Sequence, residues 1–406
     1  MTDTVFHLEN FIAEHVTERT TSLFADDLST HHDELAARID GRAALVIGGA
    51  GTIGSSFIRA LLQFRPSKLY VVDNNENGLT ELTRDLRSSV DVNVPDDYKT
   101  YPINFGDPVF AKLLANEGPF EIVANFAAHK HVRSEKDPYS IEAMIENNVL
   151  RAKHLLELLA GHPPERFFCV STDKAANPVN IMGATKKLME EVILAYSAEI
   201  PITTARFANV AFSNGSLPEG FLARMQRRQP LSAPEGIRRY FVSPAESGQL
   251  CLLACVLGES GDIFFPKLGE ESMKTFTEIG DALLRDMGYE PVPCESDATA
   301  RRMAAELPDD SVVYPVHYEP ADTSGEKSYE EFFTDDETLD LDRFAKLGVI
   351  KNAPRRSVDE IDEMFAVLRG LFTGEPIDKA AIAEALGRFI PNFEHIETGR
   401  HLDQKM

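Results

Sequence analysis

The sequence lacks long hydrophobic runs and has few cysteines. No apolar run reaches about 18 residues, which predicts that no segment of the chain spans a membrane. The first residues, MTDTVFHLENFIAEH, lack the basic start and apolar core of a signal peptide. Four cysteines occur among 406 residues, and they form no C-x-x-C pair. Together these absences predict a protein of the reducing cytoplasm.

Basic residues are scarce relative to acidic ones. The chain contains 41 lysines and arginines against 65 aspartates and glutamates, which gives a net charge of −24. Such a surface repels phosphate backbones and anionic headgroups, so we expect neither nucleic acid nor membrane as a partner. A small anionic ligand is compatible with this charge only where the fold gathers local positive charge.

Short apolar runs alternate with amphipathic helical segments through the first half of the chain. This alternation predicts an α/β fold: a Rossmann-like doubly wound parallel sheet with a smaller C-terminal substrate domain. The candidate strands occupy residues 44–48, 68–73, 121–127, 166–172 and 201–207.

The pattern also divides the chain into four segments. The N-terminal helical extension at 1–40 carries apolar residues that predict docking on another domain or on a second copy of the chain. A C-terminal segment at 351–406 contains two amphipathic helical patterns. Between them we expect a cofactor-binding Rossmann domain at 41–213 and a substrate-binding domain at 214–350.

A glycine motif directly follows the first predicted strand. Gly48, Gly51 and Gly54 have the Gly-x-x-Gly-x-x-Gly spacing that allows a tight turn and lets the backbone approach a pyrophosphate at a helix N-terminus. Asp73 ends the second strand, where a carboxylate accepts hydrogen bonds from an adenosine ribose and repels a 2′-phosphate. The sequence therefore predicts NAD as the cofactor, in preference to NADP.

Polar residues follow two further strands at the edge where parallel sheets bind ligands. Ser171, Thr172, Asp173 and Lys174 follow one strand, and Lys130 with His131 follows another. Lys186 lies on the next predicted helix. Met182 stands four residues before that lysine, where short-chain dehydrogenases carry a catalytic tyrosine. No cysteine or carboxylate cluster accompanies the histidines, so no metal site is expected.

These stretches resemble the extended short-chain dehydrogenases/reductases, and within them the nucleotide-sugar 4,6-dehydratases of the polysaccharide-biosynthesis (CapD-like) type. Their order and spacing match from about residue 41 to residue 333. The stretches that carry the resemblance are GGAGTIG, FAAHKHV, NNV, STDKAANPVNIMGATK, RFANV, NGS, RRYFV and GEKSYEE.

The resemblance implies an NAD-dependent lyase reaction on a substrate like UDP-N-acetylglucosamine, within polysaccharide biosynthesis. NAD takes hydride from sugar C4, a base removes the C5 proton, an acid helps the C6 hydroxyl leave as water, and hydride returns to C6. Asp173 matches the acid and Lys174 the base; we expect Asp173 to be protonated and Lys174 to be neutral beside Lys130 and Lys186. The group that takes the C4 hydroxyl proton is left open between Thr172, a water molecule and Asp173 itself.

The resemblance also implies the binding residues and a homodimer. Arg206 is either a motif residue or a structural ion-pair partner, and Lys327 joins the expected cationic pocket. Lys186 anchors the nicotinamide ribose and Asn148 supports that site. The implied cofactor-binding residues are Gly48, Gly51, Thr52, Ile53, Gly54, Asp73, Asn104, Phe105, Ala127, Lys130, Asn148, Ser171 and Lys186. The implied substrate-binding residues are Lys130, His131, Asn209, Ser216, Arg239 and Glu326.

Several positions depart from the family pattern. Met182 replaces the usual tyrosine, Lys267 replaces an acidic residue, and the arginine expected before GEK is absent. The last two changes lie on the substrate side. They leave a nucleotide-sugar epimerase or oxidoreductase on the same scaffold as an alternative, and Met182 leaves a non-catalytic NAD-binding protein as a third.

Overall fold

The computed structural model describes residues 6–373 and 378–399. Short 3₁₀ helices lie at Val132–Lys136, Asp173–Ala175 and Glu270–Ser272, and π-helical turns at Ile12–Val16 and Glu146–Leu150. The strands are β1 (Ala43–Ile47), β2 (Lys68–Asp73), β3 (Asp97–Pro102), β4 (Ile122–Asn125), β5 (Arg166–Val170), β6 (Ile202–Ala205), β7 (Asn209–Val210), β8 (Leu231–Glu235), β9 (Arg238–Val242), β10 (Ile263–Pro266), β11 (Met273–Thr275), β12 (Glu290–Pro293), β13 (Val313–Pro320), β14 (Leu339–Asp340) and β15 (Leu347–Ile350). The α-helices are α1 (Leu8–Phe11), α2 (Ala25–Thr30), α3 (His32–Ile39), α4 (Thr52–Leu61), α5 (Glu76–Ser88), α6 (Pro108–Glu117), α7 (Pro138–Ile145), α8 (Arg151–Ala160), α9 (Ile181–Ala195), α10 (Leu217–Gln226), α11 (Pro244–Leu257), α12 (Phe276–Asp286), α13 (Asp297–Ala305), α14 (Val358–Phe372) and α15 (Lys379–Phe389).

One large sheet organises the molecule. Within the described residues it contains nine strands in the order β14-β15-β10-β6-β5-β4-β1-β2-β3. The strands from β10 to β3 pair in parallel, whereas β15 is antiparallel to both β10 and β14. Ala44 and Val46 of β1 face one hydrophobic cluster, and Leu45 and Ile47 face another. Burial on both faces explains the apolar strands and confirms the predicted α/β fold class.

The sequence patterns missed part of this sheet. β3 is polar, with the sequence DYKTYP, because it lies at the sheet edge and is half-buried. β10 and β15 lie in the second half of the chain, where the strand–helix rhythm is lost, yet both join the large sheet. The range 214–350 therefore contributes strands to the large sheet as well as to two small three-stranded sheets, β11-β9-β7 and β12-β13-β8. The four segment boundaries stay a prediction.

The N-terminal segment packs against its own chain. Phe11 joins a cluster that includes Phe212, Phe221 and Phe241, and Phe24 joins the cluster beneath the large sheet. Further along, the Arg19 guanidinium donates two hydrogen bonds to the Glu246 carboxylate, at 2.7 and 2.8 Å. Of the two predicted docking modes, the structure thus shows packing on the rest of the chain.

The two predicted C-terminal helices are present as α14 and α15, and both pack against α9. Phe365 of α14 and Leu386 of α15 share a cluster with Leu188 and Val192 of α9. In the parts of the chain that the structure describes, no helix is long and apolar enough to cross a membrane. The end of the predicted 351–406 segment, residues 400–406, lies outside the described residues.

Candidate active site

The glycine motif forms a tight turn between β1 and α4. Gly48 has a φ of +76°, and a Cβ there would lie 2.5 Å from the Ala127 nitrogen. A Cβ on Gly54 would lie 2.3 Å from the Gly48 oxygen, so neither position accepts a side chain. At Gly51 the nearest atom to such a Cβ is the Gly48 oxygen at 3.5 Å, and Gly51 lines a cleft. The turn thus presents bare backbone at the N-terminus of α4, as pyrophosphate binding requires.

The cleft beside this turn has a volume of about 240 Å³. Asp73, Asn104, Phe105 and Ala127 line it together with the glycines. Asp73 Oδ2 accepts a 3.0 Å hydrogen bond from the Ala50 nitrogen, which fixes the carboxylate beside the turn. Four predicted cofactor residues therefore meet at one cleft of the sheet edge.

Asn104 is fixed by two donors. Its Oδ1 accepts hydrogen bonds from the Gly106 nitrogen at 2.8 Å and from Arg151 Nη1 at 3.0 Å. Asn148 lies elsewhere, behind the loop that follows β4, where its amide holds the His129 backbone through bonds of 2.8 and 2.9 Å. Asn148 thus holds the loop that follows β4 and does not line the first cleft.

A second cleft of about 230 Å³ continues from the first, because Phe126 and Ala128 line both. It contains the predicted reaction residues, which the loop after β5 and the first turn of α9 contribute. The residues predicted from sequence that line it are Ile53, Lys130, His131, Ser171, Thr172, Asp173, Lys174, Met182, Lys186, Asn209 and Ser216.

Asp173 and Lys174 form a close ion pair at the floor of the second cleft. Asp173 Oδ1 accepts hydrogen bonds from Thr172 Oγ1 at 2.7 Å, from the Lys174 nitrogen at 2.9 Å and from Lys174 Nζ at 3.1 Å. Asp173 Oδ2 is buried and has no hydrogen-bond partner among the described residues. One oxygen of this carboxylate therefore accepts three hydrogen bonds, and the other is buried without a donor among the described residues.

The nearest charged neighbours of the Lys174 ammonium differ from the expected ones. Besides Asp173, Glu330 Oε1 lies 3.8 Å from Lys174 Nζ. Lys186 Nζ instead donates a 2.6 Å hydrogen bond to the Val170 carbonyl oxygen, and burial lowers the pKa of this ammonium. Two carboxylates thus flank Lys174 where the sequence reasoning expected two lysines.

The first turn of α9 is fixed from three sides. Asn180 caps it by accepting a 2.7 Å hydrogen bond from the Gly183 nitrogen, and Glu135 Oε2 accepts one of 2.6 Å from the Ile181 nitrogen. A Cβ on Gly183 would lie 2.5 Å from the Lys174 oxygen. The helix α9 therefore touches the loop after β5 directly; this loop, residues 171–174, is called the reaction loop below. This packing holds the buried Met182 side chain on the second cleft.

A buried charge network lies behind the reaction loop. Ser171 Oγ donates a 2.6 Å hydrogen bond to Glu190, and Arg206 binds Glu190 and Glu337 at 2.8 to 3.0 Å. Although burial lowers the pKa of the Arg206 guanidinium, the two glutamates raise it above its ordinary value. Arg206 is thus a structural ion-pair partner, and the Ser171 hydroxyl supports the loop from behind.

A third cleft of about 410 Å³ opens from the second, since Lys130, His131 and Ser216 line both. Glu326 lines its far side, and its Oε2 accepts a 3.0 Å hydrogen bond from the Thr323 nitrogen. Burial lowers the pKa of the Lys130 ammonium, while Glu219 opposes this effect. The three clefts form one continuous path from the glycine turn past Lys174 to Glu326.

The remaining predicted contacts are distributed around this path. Thr52 Oγ1 accepts a 2.9 Å hydrogen bond from the Asn214 nitrogen and so connects α4 to the loop before α10. Asn209 Nδ2 is buried without a hydrogen-bond partner in the described part of the chain, and it lines the second cleft. Arg239 lines none of the three clefts and instead faces Glu330, with Nη2 3.6 Å from Oε1.

Sequence reasoning missed Glu330. The motif GEKSYEE, which contains it, indicates Glu326 and Lys327 as binding residues. The glutamate four residues after Glu326 carries no separate signal, because burial of a single loop residue depends on the tertiary fold. Lys327 itself pairs with Glu331 at 3.0 Å.

Comparison with known proteins gives one family and several relatives. A family model described as "Polysaccharide biosynthesis protein" matches residues 44–352. The uncharacterized membrane protein MJ1061 of Methanocaldococcus jannaschii is 29% identical over 76% of this chain and 85% of its own length. The capsular polysaccharide biosynthesis protein CapD of Staphylococcus aureus is 31% identical over 58% of this chain and 39% of its own length. A UDP-N-acetylglucosamine 4,6-dehydratase (inverting) of Campylobacter jejuni is 24% identical over 62% and 73% of the two chains.

Solved structures share the fold. Pen from Bacillus thuringiensis has a TM-score of 0.60 at 20% identity, over 79% of this chain and 90% of that one. The UDP-glucuronic acid 4-epimerase of Bacillus cereus, solved with UDP-glucuronic acid and NAD, has a TM-score of 0.52 at 18% identity, over 72% and 90%. At these identities the likeness establishes the architecture alone.

Proposed function

Because the chain belongs to the polysaccharide biosynthesis protein family, we propose that it is an NAD-dependent nucleotide-sugar 4,6-dehydratase acting on a UDP-N-acetylglucosamine-like substrate. The observation that carries this proposal is the Asp173–Lys174 pair in a cleft that continues to the glycine turn. An acid and a base side by side suit removal of a proton and a hydroxyl from adjacent carbons. Plain alcohol oxidation needs no such pair.

NAD fits the first cleft by the chemistry of its lining. The bare glycine turn suits the pyrophosphate, Asp73 suits the ribose hydroxyls, and Asn104 offers a polar contact for adenine. When bound, NAD supplies the hydride acceptor for C4 and the hydride donor for C6. In our proposal Lys186 contacts the nicotinamide ribose. This lysine lines the second cleft, and its ammonium is held by the hydrogen bond to the Val170 carbonyl oxygen.

Asp173 and Lys174 carry the proton transfers in this proposal. Asp173 Oδ2, buried and unpartnered among the described residues, accepts the C4 hydroxyl proton in the place of the missing tyrosine. The same proton then protonates the departing C6 hydroxyl, which leaves as water. Lys174, as the neutral amine, removes the C5 proton once the C4 carbonyl has made it acidic, and the ammonium so formed later returns a proton to C5.

The substrate extends along the third cleft in our proposal. Lys130 and His131 lie between the reaction loop and the outer cleft, where a diphosphate would meet them. Asn209 and Ser216 face the sugar, Glu326 faces the nucleoside, and Arg239 supports the diphosphate from beyond Glu330. Of the cations expected to offset the net charge of −24, Lys174, Arg239 and Lys327 lie beside carboxylates of the chain, and Lys130 lines both the second and the third cleft. Cytoplasmic location and a homodimer stay predictions from the sequence.

Mass spectrometry of the reaction tests this function. Incubation of the protein with NAD and UDP-N-acetylglucosamine is expected to yield a product lighter by one water. Lys174→Ala is the matched variant, and we expect it to lose turnover by a factor on the order of 10²–10⁴ while NAD binding in calorimetry is retained. An unchanged mass across a panel of nucleotide sugars would contradict the proposal.

An epimerase on the same scaffold is the second candidate. The observation that favours it is the altered substrate side: Lys267 stands where the family pattern has an acidic residue, and its ammonium donates hydrogen bonds to the Leu341 and Phe344 backbone carbonyls. A product of unchanged mass and new stereochemistry at C4 would select an epimerase, and net formation of NADH would select an oxidoreductase. Full function in Lys174→Ala would select a non-catalytic NAD-binding protein.

A further inference from the structure

Glu330 is a buried carboxylate in the loop that follows β13. Its side chain is 3% exposed. A carboxylate is costly to bury unless cations and hydrogen-bond donors compensate the lost hydration. The groups that face Glu330 therefore indicate what it does.

Two cations on different elements face the same oxygen of Glu330. Lys174 Nζ, from the reaction loop, lies 3.8 Å from Oε1, and Arg239 Nη2, from β9, lies 3.6 Å from it. On its other side the Lys174 ammonium contacts Asp173 Oδ1 at 3.1 Å. Negative and positive groups thus alternate in a buried row: Asp173, Lys174, Glu330 and Arg239.

The electrostatics of this row are set by four neighbours of Glu330. Burial raises the pKa of the Glu330 carboxyl; Lys174, Arg239 and Lys327 oppose that rise, and Asp173 adds to it. In reverse, a carboxylate 3.8 Å from the Lys174 ammonium stabilises the charged form of that lysine. Glu330 is therefore placed to stabilise positive charge on Lys174 and on Arg239.

We propose that Glu330 is a positioning residue for Lys174: its carboxylate stabilises the ammonium that forms when Lys174 takes the C5 proton, and it holds Arg239 beside the reaction loop. The inference rests on the proposed dehydratase function. In that step the C5–H bond breaks and its electron pair enters the C4 enolate, while the proton goes to Lys174 Nζ. The electron pair then forms the C5–C6 double bond as the C6–O bond breaks, and Asp173 gives its proton to the departing hydroxyl.

The charges at the end of this elimination match the arrangement in the structure. Lys174 is then an ammonium and Asp173 a carboxylate, at the 3.1 Å separation observed between them. Glu330 adds a second carboxylate beside the ammonium. Without that charge the ammonium is less stable, so Lys174 becomes a weaker base and the proton transfer from C5 slows.

Labelling of Lys174 tests the charge coupling without any turnover. The rate at which an amine-reactive reagent acylates Lys174, located by peptide mass spectrometry, is measured against pH in the full chain. In Glu330→Gln we expect the labelling midpoint to move to lower pH by about one unit, a tenfold change in the acid dissociation constant. Glu330→Asp keeps the charge one methylene farther away, and a smaller shift in the same direction is expected.

Kinetics of the same variants test the role in the reaction. In Glu330→Gln we expect the low-pH limb of kcat/KM to move with the labelling midpoint and kcat to fall about tenfold. Because C4 oxidation precedes the step that Lys174 performs, the fraction of enzyme-bound NADH during turnover should rise. General damage to the site would slow both steps and leave that fraction unchanged.

Glu331→Gln is the matched control, because Glu331 lies next in the chain, is 41% exposed at its side chain and pairs with Lys327 rather than Lys174. In this variant the pH midpoint of Lys174 labelling and the low-pH limb of kcat/KM should both stay at the wild-type values.

A Lys174 labelling midpoint that Glu330→Gln leaves unmoved would overturn the inference. A shifted labelling midpoint with an unmoved low-pH limb of kcat/KM would overturn it as well. If Glu330→Gln does not fold, the graded shift in Glu330→Asp decides. Wild-type protein that dehydrates no nucleotide sugar would defeat the proposed function instead, and the labelling result would still be readable.

Discussion

Met182 is the residue at which the chemistry of this site departs most from a simple dehydrogenase. A thioether neither gives nor takes a proton, so the proposed dehydratase reaction needs another group for the C4 hydroxyl. The structure supplies a buried carboxylate oxygen without a partner among the described residues, Asp173 Oδ2, on the same cleft. The missing tyrosine therefore points to reassigned proton transfer, and not to a lost one.

Met182→Tyr tests that reassignment. The side chain is 3% exposed, so a phenol ring there overpacks its surroundings at a cost of about 1–3 kcal/mol and adds no group that our mechanism uses. We expect dehydration turnover in a product assay to fall, whereas Met182→Leu, which keeps the volume, should remain close to wild type. A strong rise of turnover in the tyrosine variant would show that the C4 proton has not been reassigned to Asp173.

Single residues also show the reach of sequence reasoning. Gly48, Gly51, Asp73, Asp173, Lys174 and Lys186 line the first two clefts, since each follows a strand end or stands at fixed spacing from one. Glu330 and the Ser171–Glu190 bond were not predicted, because they join residues far apart in sequence that only the tertiary fold brings together.

At the scale of elements, the first turn of α9 depends on the loop that follows β4. Glu135 lies in the 3₁₀ helix Val132–Lys136. Its Oε2 accepts a hydrogen bond from the Ile181 nitrogen, and its Oε1 is buried without a hydrogen-bond partner among the described residues. Burial raises the pKa of Glu135 from 4.5 to about 7. The hydrogen bond between Glu135 and Ile181, which orients the first turn of α9, is therefore sensitive to pH.

The sign of this sensitivity follows from proton linkage. Between pH 4.5 and about 7 the folded state holds a proton on Glu135 that the unfolded state has lost. This group thus contributes most stability below pH 4.5 and loses it as pH rises to about 7, by up to about 3 kcal/mol. In urea unfolding, Glu135→Gln should flatten this part of the pH dependence, while the exposed Glu363→Gln should not. An unaltered pH dependence in Glu135→Gln would refute the assignment.

The elements that sequence reasoning found and missed differ in burial. β1, β2, β4, β5 and β6 are buried almost throughout because both faces of the sheet are covered, and all five were predicted. The edge strand β3 has polar, half-buried positions that resemble a loop pattern. β10 and β15 are as apolar as the inner strands, but strands of the small sheets and the helices α12 and α13 lie between them in the chain, so the strand–helix rhythm that identifies parallel strands is lost.

At the scale of the whole molecule, the terminal segments are parts of the core that surrounds the site. The N-terminal segment contributes Asp27, whose carboxylate accepts from the Ala345 and Lys346 nitrogens before β15. The C-terminal pair α14 and α15 covers the face of α9 that points away from the cleft. The helix that carries Met182 and Lys186 is therefore held between the sheet and the C-terminal helices.

The Phe365→Ala substitution measures how much the packing of α14 and α15 on α9 contributes to the stability of the protein. The ring is 3% exposed among apolar side chains of α9 and α15, and its removal should cost about 3–5 kcal/mol. We expect a lower urea midpoint together with weaker turnover. Val367→Ala on the same helix is the control, since that side chain is 43% exposed and should change stability by less than about 0.5 kcal/mol. Equal midpoints for the two variants would contradict the role given to α14.

The central claim is that Asp173 and Lys174 eliminate water across C5 and C6 of a nucleotide sugar. Its most direct measurement is the mass of the product that the wild-type protein forms from UDP-N-acetylglucosamine with NAD in deuterated water. Our account predicts the loss of one water and the gain of one deuterium at C5, delivered by Lys174, and neither change with Lys174→Ala. A product that keeps the substrate's mass and carries no deuterium at C5 would contradict it.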